Sequence, residues 1–331
     1  MYKRPHLDSG HGVARKLRDI PGKVLVVTMP APWNLLQQHA PWHPNWVHMV
    51  TDMQRDTVFQ AAERLPHCDV VIGIGGGSCV DTAKYIAWKR GCRMVLVPTI
   101  ISVDAPLTNT VAIRVDKTVR YVADIFPEEL LIDYDLIQKA PKELNRAGAC
   151  DIVSIHTALY DWSLARDLNG EAYSEEVAAQ ARQCLEELDR NAEEIFNVTP
   201  KGIDTVLDLF RREVEFCTRL GSSRPEEGSE HIVAYGLENL TGRHFLHGDL
   251  VALGIFMMSR LQGHSHEWVV DLMKRTGLRY RCEDATPLEI SQCLVKLREF
   301  KAYSKLFYSV LDAVSITGDF IDDAMYALYR S

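Results

Sequence analysis

Two groups of residues in this chain have the types and spacing to do chemistry. The first is Gly73-Ile-Gly-Gly-Gly-Ser-Cys-Val-Asp-Thr-Ala-Lys84, a glycine-rich turn between the apolar run Asp69-Val-Val-Ile72 and the helical pattern Thr82–Trp88. Successive glycines let another backbone or a ligand come close. The first amides of a helix lack intrahelical partners and the helix dipole is positive there, so an anion is the natural guest. The spacing is not G-x-G-x-x-G, so the turn alone leaves a ligand-free strand-to-helix connection open as well. The second group is Asp151, His231 and His247, each close to the start of a helical pattern. One carboxylate and two imidazoles make a divalent-metal set with a position left for substrate, suited to Zn²⁺, Ni²⁺ or Fe²⁺. Singly, Asp151 also reads as a helix cap and each histidine as satisfying a local polar contact. There are twelve histidines, with His244/His247 and His264/His266 as local pairs, and spacing does not choose among them.

Such groups need elements to hold them. Lys23-Val-Leu-Val-Val27, Trp46-Val-His-Met-Val50, Val70-Val-Ile-Gly-Ile74 and Met94-Val-Leu-Val97 are apolar, β-branched runs separated by helical or loop segments. Runs buried on both faces with crossovers between them predict a parallel sheet. Asp56 to Leu65, with Thr57, Gln60 and Glu63 facing water, and Asp81 to Arg90 read as crossover helices. In such a sheet a ligand sits at the carboxyl ends of the strands, which is where Gly75 to Ser78 fall. Pro98 to Pro106 leaves the next strand end and brings Thr99, Ser102 and Asp104, residue types that ordinary turns also use. Val111–Val115 and Val119–Val122 around Asp116-Lys117 predict a hairpin at the edge of the sheet domain, and Leu130–Asp133 a last strand.

From Asn145 onward the strand patterns stop. Apolar residues at three- and four-residue spacing predict helices near 146–168, 173–194, 200–220, 228–240, 249–262, 265–276, 286–298 and 319–329. The chain therefore reads as an α/β domain over 1–145 followed by an all-helical domain over 146–331, and the cleft between two such domains is the default place for an active site.

The 331 residues carry a net charge of −8, which argues against nucleic acid or an anionic membrane as the main partner. No apolar run is long enough to span a bilayer, and Met1-Tyr-Lys-Arg-Pro5 lacks the apolar core of a signal peptide. Eight scattered cysteines without a C-x-x-C pair read as reduced, mostly buried thiols of a cytoplasmic protein.

Four stretches carry a family resemblance: Gly75–Lys84; Val97–Pro106; Ala149-Cys-Asp-Ile-Val-Ser-Ile-His-Thr-Ala-Leu-Tyr-Asp-Trp162; and Ser223-Arg-Pro-Glu-Glu-Gly-Ser-Glu-His231, continued by Leu246-His-Gly-Asp249. In residues, order and approximate spacing the chain resembles the iron-containing alcohol dehydrogenase and dehydroquinate synthase superfamily. Within it, the second pair of stretches resembles the sn-glycerol-1-phosphate dehydrogenases, with glycerol dehydrogenase the close neighbour. The resemblance implies a Rossmann-like parallel-sheet domain joined to a dehydroquinate synthase-like helical domain. It implies NAD or NADP at Gly75, Gly76, Gly77, Ser78 and Asp81, with Thr99, Ser102 and Thr108 further along the cofactor. One divalent metal, zinc before nickel or iron, would sit on Asp151, His231 and His247, with Asp104 and Asp151 beside the substrate. The implied reaction is hydride transfer to the ketone of dihydroxyacetone phosphate, or a closely related free or phosphorylated polyol, in a cytoplasmic homodimer or larger assembly. A sugar-phosphate cyclase or lyase using the same cofactor and metal is the alternative, and Arg279, Arg281 and Lys301 are its candidate phosphate ligands.

The chain departs from the family pattern on the substrate side. Tyr235 stands where relatives commonly place a second histidine, four residues after His231; a phenol with a pKa near ~10 donates a hydrogen bond but is a poor proton shuttle at neutral pH. Asp249 follows His247-Gly248 where Glu or Gln is usual. Thr28-Met29-Pro30 has no acid for the adenosine ribose, which leaves NAD and NADP both open.

Overall fold

A computed structural model describes residues 5–115 and 118–330. The Asp116-Lys117 turn and the start of the chain, Met1–Arg4, lie outside the described residues. The chain divides into two compact units, Met1–Asn145 and Arg146–Ser331.

In the first unit the elements run β1 (His6–Gly10), a 3₁₀ turn (Val13–Asp19), β2 (Val24–Thr28), α1 (Pro30–His39), β3 (Trp46–Met49), α2 (Arg55–Arg64), β4 (Val70–Gly75), α3 (Gly77–Arg90) and β5 (Arg93–Pro98). They continue through β6 (Thr110–Val115), β7 (Thr118–Asp124), β8 (Glu129–Asp133), α4 (Tyr134–Lys139) and α5 (Lys142–Arg146). Six strands pair in the order β1-β8-β5-β4-β2-β3, every pair parallel. The inner strands β2 and β4 are buried at every residue, as unbroken apolar runs must be between two helical layers. Val26, Ile72, Ile74, Val95, Val97 and Leu131 share one core with Leu17 and Leu36.

Three details differ from the sequence reading. Trp46–Met49 is an edge strand with alternating exposure, not one buried on both faces, because it pairs only with β2. The β6–β7 hairpin forms its own two-stranded sheet, while β8, the last strand in the sequence as expected, lies between β5 and β1. β1, His-Leu-Asp-Ser-Gly, has almost no strand-favouring residues and is made by its register with β8.

The chain steps outward from β2 to β3, then back across β2 to β4. The direction of winding therefore reverses between β2 and β4, and the crevice beyond their carboxyl ends is where such sheets bind ligands. The glycine-rich turn leaves β4 at that point.

The second unit is helical: α6 (Ala149–Asn169), α7 (Glu175–Arg190), α8 (Ala192–Asn197), α9 (Pro200–Leu220), α10 (Ser229–Thr241), α11 (His247–Gln262), α12 (His266–Thr276), α13 (Pro287–Ser304), α14 (Val310–Ala313) and α15 (Gly318–Arg330). The segment expected as one helix over 173–194 breaks at Asn191 into α7 and α8. α6, α10 and α11 form the centre and are buried along most of their length. Gly254 lets α11 lie against the start of α10, since any side chain there would collide with the Glu230 carbonyl. Asp161 of α6 ties further helix starts to this centre, accepting from the amides of Ser229 and Val310 at 2.7 Å each. Among the described residues no helix is long and apolar enough to cross a membrane.

Candidate metal centre and glycine-rich turn

Asp151, His231 and His247 stand in the first turns of α6, α10 and α11, so the packing of three helix starts brings them together. Asp151 Oδ1 lies 3.3 Å from His247 Nε2 and 3.8 Å from His231 Nε2, and one ligand atom from each residue falls within 4.8 Å of the others. Ligands held at about 2.0–2.2 Å around a tetrahedral ion are separated by about 3.4 Å, so the two distances from Asp151 Oδ1 fit a divalent ion. Asp151 Oδ1 is buried without a well-formed hydrogen bond, a costly condition that an ion would relieve. Burial opposes its charge, yet the imidazoles of His247 and His231 hold its carboxyl below its ordinary value. The helix dipoles favour that carboxylate as well.

Glu230, fully buried, is the residue the sequence reading missed. Its Oε1 accepts from the Gly228 amide at 2.5 Å and lies 2.9 Å from His231 Nδ1. A carboxylate at Nδ1 fixes the proton there and leaves the Nε2 lone pair directed at Asp151, the tautomer a metal ligand requires. Burial works against a charge on His231, but the Glu230 hydrogen bond and the charges of Glu227, Glu230 and Asp151 outweigh it and hold the imidazole up at about 9. That avidity for positive charge is what a dication on Nε2 would use in place of a proton. The signal was present in the sequence: an acid directly before His231 in the first turn of an apolar helix.

Tyr235 lies one turn beyond His231, with ring centroids 5.9 Å apart, and its hydroxyl donates to Glu227. Asp249 is engaged by Arg279, whose nitrogens reach its two oxygens at 2.5 and 3.3 Å.

In the first unit, Gly75 has φ +142°, where a side chain would strike Cys79 Sγ at 2.6 Å; glycine is required for the chain to leave β4 and enter α3. α3 begins at Gly77, earlier than the Asp81 start read from sequence, so Gly77 and Ser78 supply first-turn amides. Thr99 follows β5 and its amide donates to the Gly75 carbonyl at 3.2 Å, placing Thr99 next to the turn; Thr99 and Ser102 are both buried. Asp81 is buried within α3 and accepts from the Ala112 amide at 3.3 Å, anchoring the hairpin. Burial pushes its carboxyl up to about 6 against the pull of Lys84. Lys84, a second residue missed from sequence, is fully buried and donates to the carbonyls of Ala105, Thr108 and Thr110 and to Thr108 Oγ1. Thr108 is therefore part of the lysine's cage, and the loop carrying half-buried Asp104 is pinned to α3.

A six-stranded parallel sheet with an anion-ready turn, followed by a helical unit that brings one carboxylate and two imidazoles together, defines a two-unit α/β-plus-α protein with a candidate divalent-metal site. A family description, iron-containing alcohol dehydrogenase, matches residues 35–141. The chain is 37% identical over 213 residues to glycerol-1-phosphate dehydrogenase (NAD(P)+) of Hyperthermus butylicus, covering 63% of this chain and 60% of that protein. It is 34% identical over 231 residues to the enzyme of the same name from Aeropyrum pernix, covering 67% and 65%. The chain thus spans less than two thirds of the length of these relatives. The fold superposes on a probable glycerol dehydrogenase from Sinorhizobium meliloti 1021 with a TM-score of 0.71 at 19% identity, covering 99% of this chain and 98% of that one. Residues 35–141 thus match the iron-containing alcohol dehydrogenase family, and the chain as a whole has the fold of the solved probable glycerol dehydrogenase.

Proposed function

We propose that the protein is a divalent-metal-dependent, NAD(P)-linked dehydrogenase of a glycerol-sized ketone and its secondary alcohol. Dihydroxyacetone phosphate and sn-glycerol 1-phosphate, or a closely related small polyol, form the pair. The observation that carries this reading is the buried Asp151 oxygen, without a well-formed hydrogen bond, facing two histidine Nε2 atoms. Relatives named glycerol-1-phosphate dehydrogenase (NAD(P)+) support the substrate size and the cofactor.

In this reading Asp151, His231 and His247 hold the ion, with zinc before nickel or iron, and Glu230 keeps His231 in the ligating tautomer. The ion supplies Lewis acidity at the ketone. The nicotinamide supplies or accepts the hydride. Gly75, Gly76, Gly77 and Ser78 receive the pyrophosphate on the first-turn amides of α3, and Thr99 and Ser102 line the cofactor beside it. Thr28, at the end of β2, donates to the Ile74 carbonyl at 2.8 Å and offers the ribose no carboxylate, so NADH and NADPH both serve. Asp104 and Tyr235 supply polar contacts to substrate hydroxyls. A cytoplasmic setting and a homodimeric or larger assembly are the family's implication, with the free thiols in keeping with the first.

The cyclase alternative needs free basic groups for a sugar phosphate. Arg279 is taken by Asp249, Lys301 by Asp312 at 2.6 Å, and Arg281 donates to the Leu328 carbonyl at 2.8 Å. These pairings weigh against a sugar-phosphate cyclase, and within the dehydrogenase reading they favour the free polyol over its phosphate ester.

The test is direct. Zinc- or nickel-loaded protein is mixed with NADH or NADPH and with dihydroxyacetone phosphate or dihydroxyacetone, and the absorbance of the reduced cofactor is followed. Oxidation with either ketone is expected. No oxidation of either cofactor by any small ketone overturns the reading.

A further inference from the structure

Glu227, His231 and Tyr235 recur at four-residue intervals, through the entry to α10 and along its first turns. His231 and Tyr235 therefore share a face of α10, and Glu227, ahead of the N-cap Gly228, is brought to that face by its contacts. The contacts agree: the Tyr235 hydroxyl donates to one Glu227 oxygen, the Ser223 hydroxyl donates to the other, and the Tyr235 ring lies beside that of His231. Glu227 and Tyr235 are half-buried, whereas Glu230 is wholly buried. Of the three ligand side chains, His247 is the open one at 32% exposure, against 5% for His231 and 11% for Asp151. Glu227, held from two directions, thus lies on the His231 side of the metal set, where its charge acts on that imidazole.

We propose that Glu227, held in place by Ser223 and Tyr235, is the specificity-determining residue of this site and selects small uncharged polyhydroxy ketones and polyols over their phosphate esters. The inference rests on the dehydrogenase reading above and narrows its substrate class. An ionised carboxylate is an acceptor only, so it takes a hydrogen bond from a substrate hydroxyl. A phosphate dianion has no proton to give and is repelled. The surrounding charge points the same way. A dication on the ligand set faces three carboxylates, Asp151, Glu227 and Glu230, so the filled group keeps a net negative charge. Three basic side chains of this unit are paired with acids of their own: Arg224 with Glu171, Arg279 with Asp249 and Lys301 with Asp312. Specificity here comes from a repulsive element as much as from an attractive one.

The test reads binding without turnover. Zinc-loaded full-length protein is titrated with glycerol, sn-glycerol 1-phosphate and inorganic phosphate, each followed by ligand-observed NMR. Wild type is expected to bind glycerol at least about ten-fold more tightly than glycerol 1-phosphate. Glu227→Gln, with zinc content checked, is expected to cut that preference by about ten-fold, because amide NH₂ replaces a repelling oxygen. Tyr235→Phe and Ser223→Ala, which free one side of Glu227 and leave the metal ligands alone, are expected to reduce the preference partway. Equal or tighter binding of glycerol 1-phosphate by wild type overturns the inference. So does a preference unchanged in Glu227→Gln, or, should that variant lose zinc, unchanged in the other two. A protein that shows the binding preference but oxidises neither cofactor with any ketone refutes the dehydrogenase reading and leaves this one standing.

Discussion

At the scale of single residues, the candidate centre depends on one hydrogen bond as much as on three ligands. His247→Ala removes a ligand from the half-exposed side of the set and is expected to abolish zinc retention and activity together while leaving the helical circular dichroism unchanged. A zinc-free variant that still turns over would refute the ligand role. Glu230→Gln keeps the volume and removes the charge behind His231 Nδ1. It is expected to weaken zinc binding about 10–100-fold, measured by competition with a chromogenic chelator, and an unchanged affinity would leave Glu230 a purely structural residue. The legibility of these residues in the sequence was uneven for a physical reason. Asp151, His231 and His247 emerge from among twelve histidines only through family-like stretches, because what unites them is the meeting of three helix starts distant in sequence. Glu230 and Lys84 were given no role of their own within their stretches; their burial follows from packing that no local pattern encodes.

At the scale of elements, the distance between His231 and His247 is set by how closely α10 and α11 approach, and Gly254 sets that approach. Gly254→Ala drives a methyl into the Glu230 carbonyl, a backbone atom that cannot rotate away. The expected cost is about 1–3 kcal/mol in urea unfolding of the metal-free protein, with a further loss of zinc affinity as the two histidines are pushed apart. Wild-type stability in this variant would mean that the helices have slack. Elements whose environment is uniform along their length were the readable ones: β2, β4 and β5 announce themselves by unbroken apolar runs, and α9 by its apolar stripe. β1 was not readable, because its strand conformation comes from pairing with β8 and not from its own residues. β3 was read as a strand but given the wrong surroundings, since an apolar run does not say whether it ends up inside or at an edge. The break between α7 and α8 was hidden by apolar spacing that continues across Asn191.

At the scale of the whole molecule, the acid side of the stability curve depends on a histidine that takes no part in the metal set. His156 of α6 is buried, its Nε2 donates to the His264 carbonyl at 2.9 Å, and its ring stacks on that of His264 at 4.7 Å. Burial drives its pKa down to about 4, from an ordinary value of 6.5. Between those values the unfolded chain binds a proton that the folded chain refuses, so the free energy of unfolding falls as pH drops from about 6.5 to about 4. A depression of that size corresponds to at most about 3 kcal/mol. Asp161 runs the other way: burial and the charge of Glu230 push it up to about 6, so the folded state holds a proton that the unfolded state releases, and the stability this gives is lost as pH rises through 6. The two ranges overlap and partly cancel, so the wild-type pH profile alone does not separate them. His156→Gln does, because it keeps a donor for the His264 carbonyl and titrates nowhere, while Asp161 remains in both proteins. Measured by chemical denaturation at a series of pH values, the wild type is expected to lose up to about 3 kcal/mol relative to His156→Gln between pH 7 and pH 4, with most of the change below 6.5. A difference between the two proteins that stays constant with pH would mean that His156 accepts its proton in the folded state, and that α6 gives way around it without global unfolding.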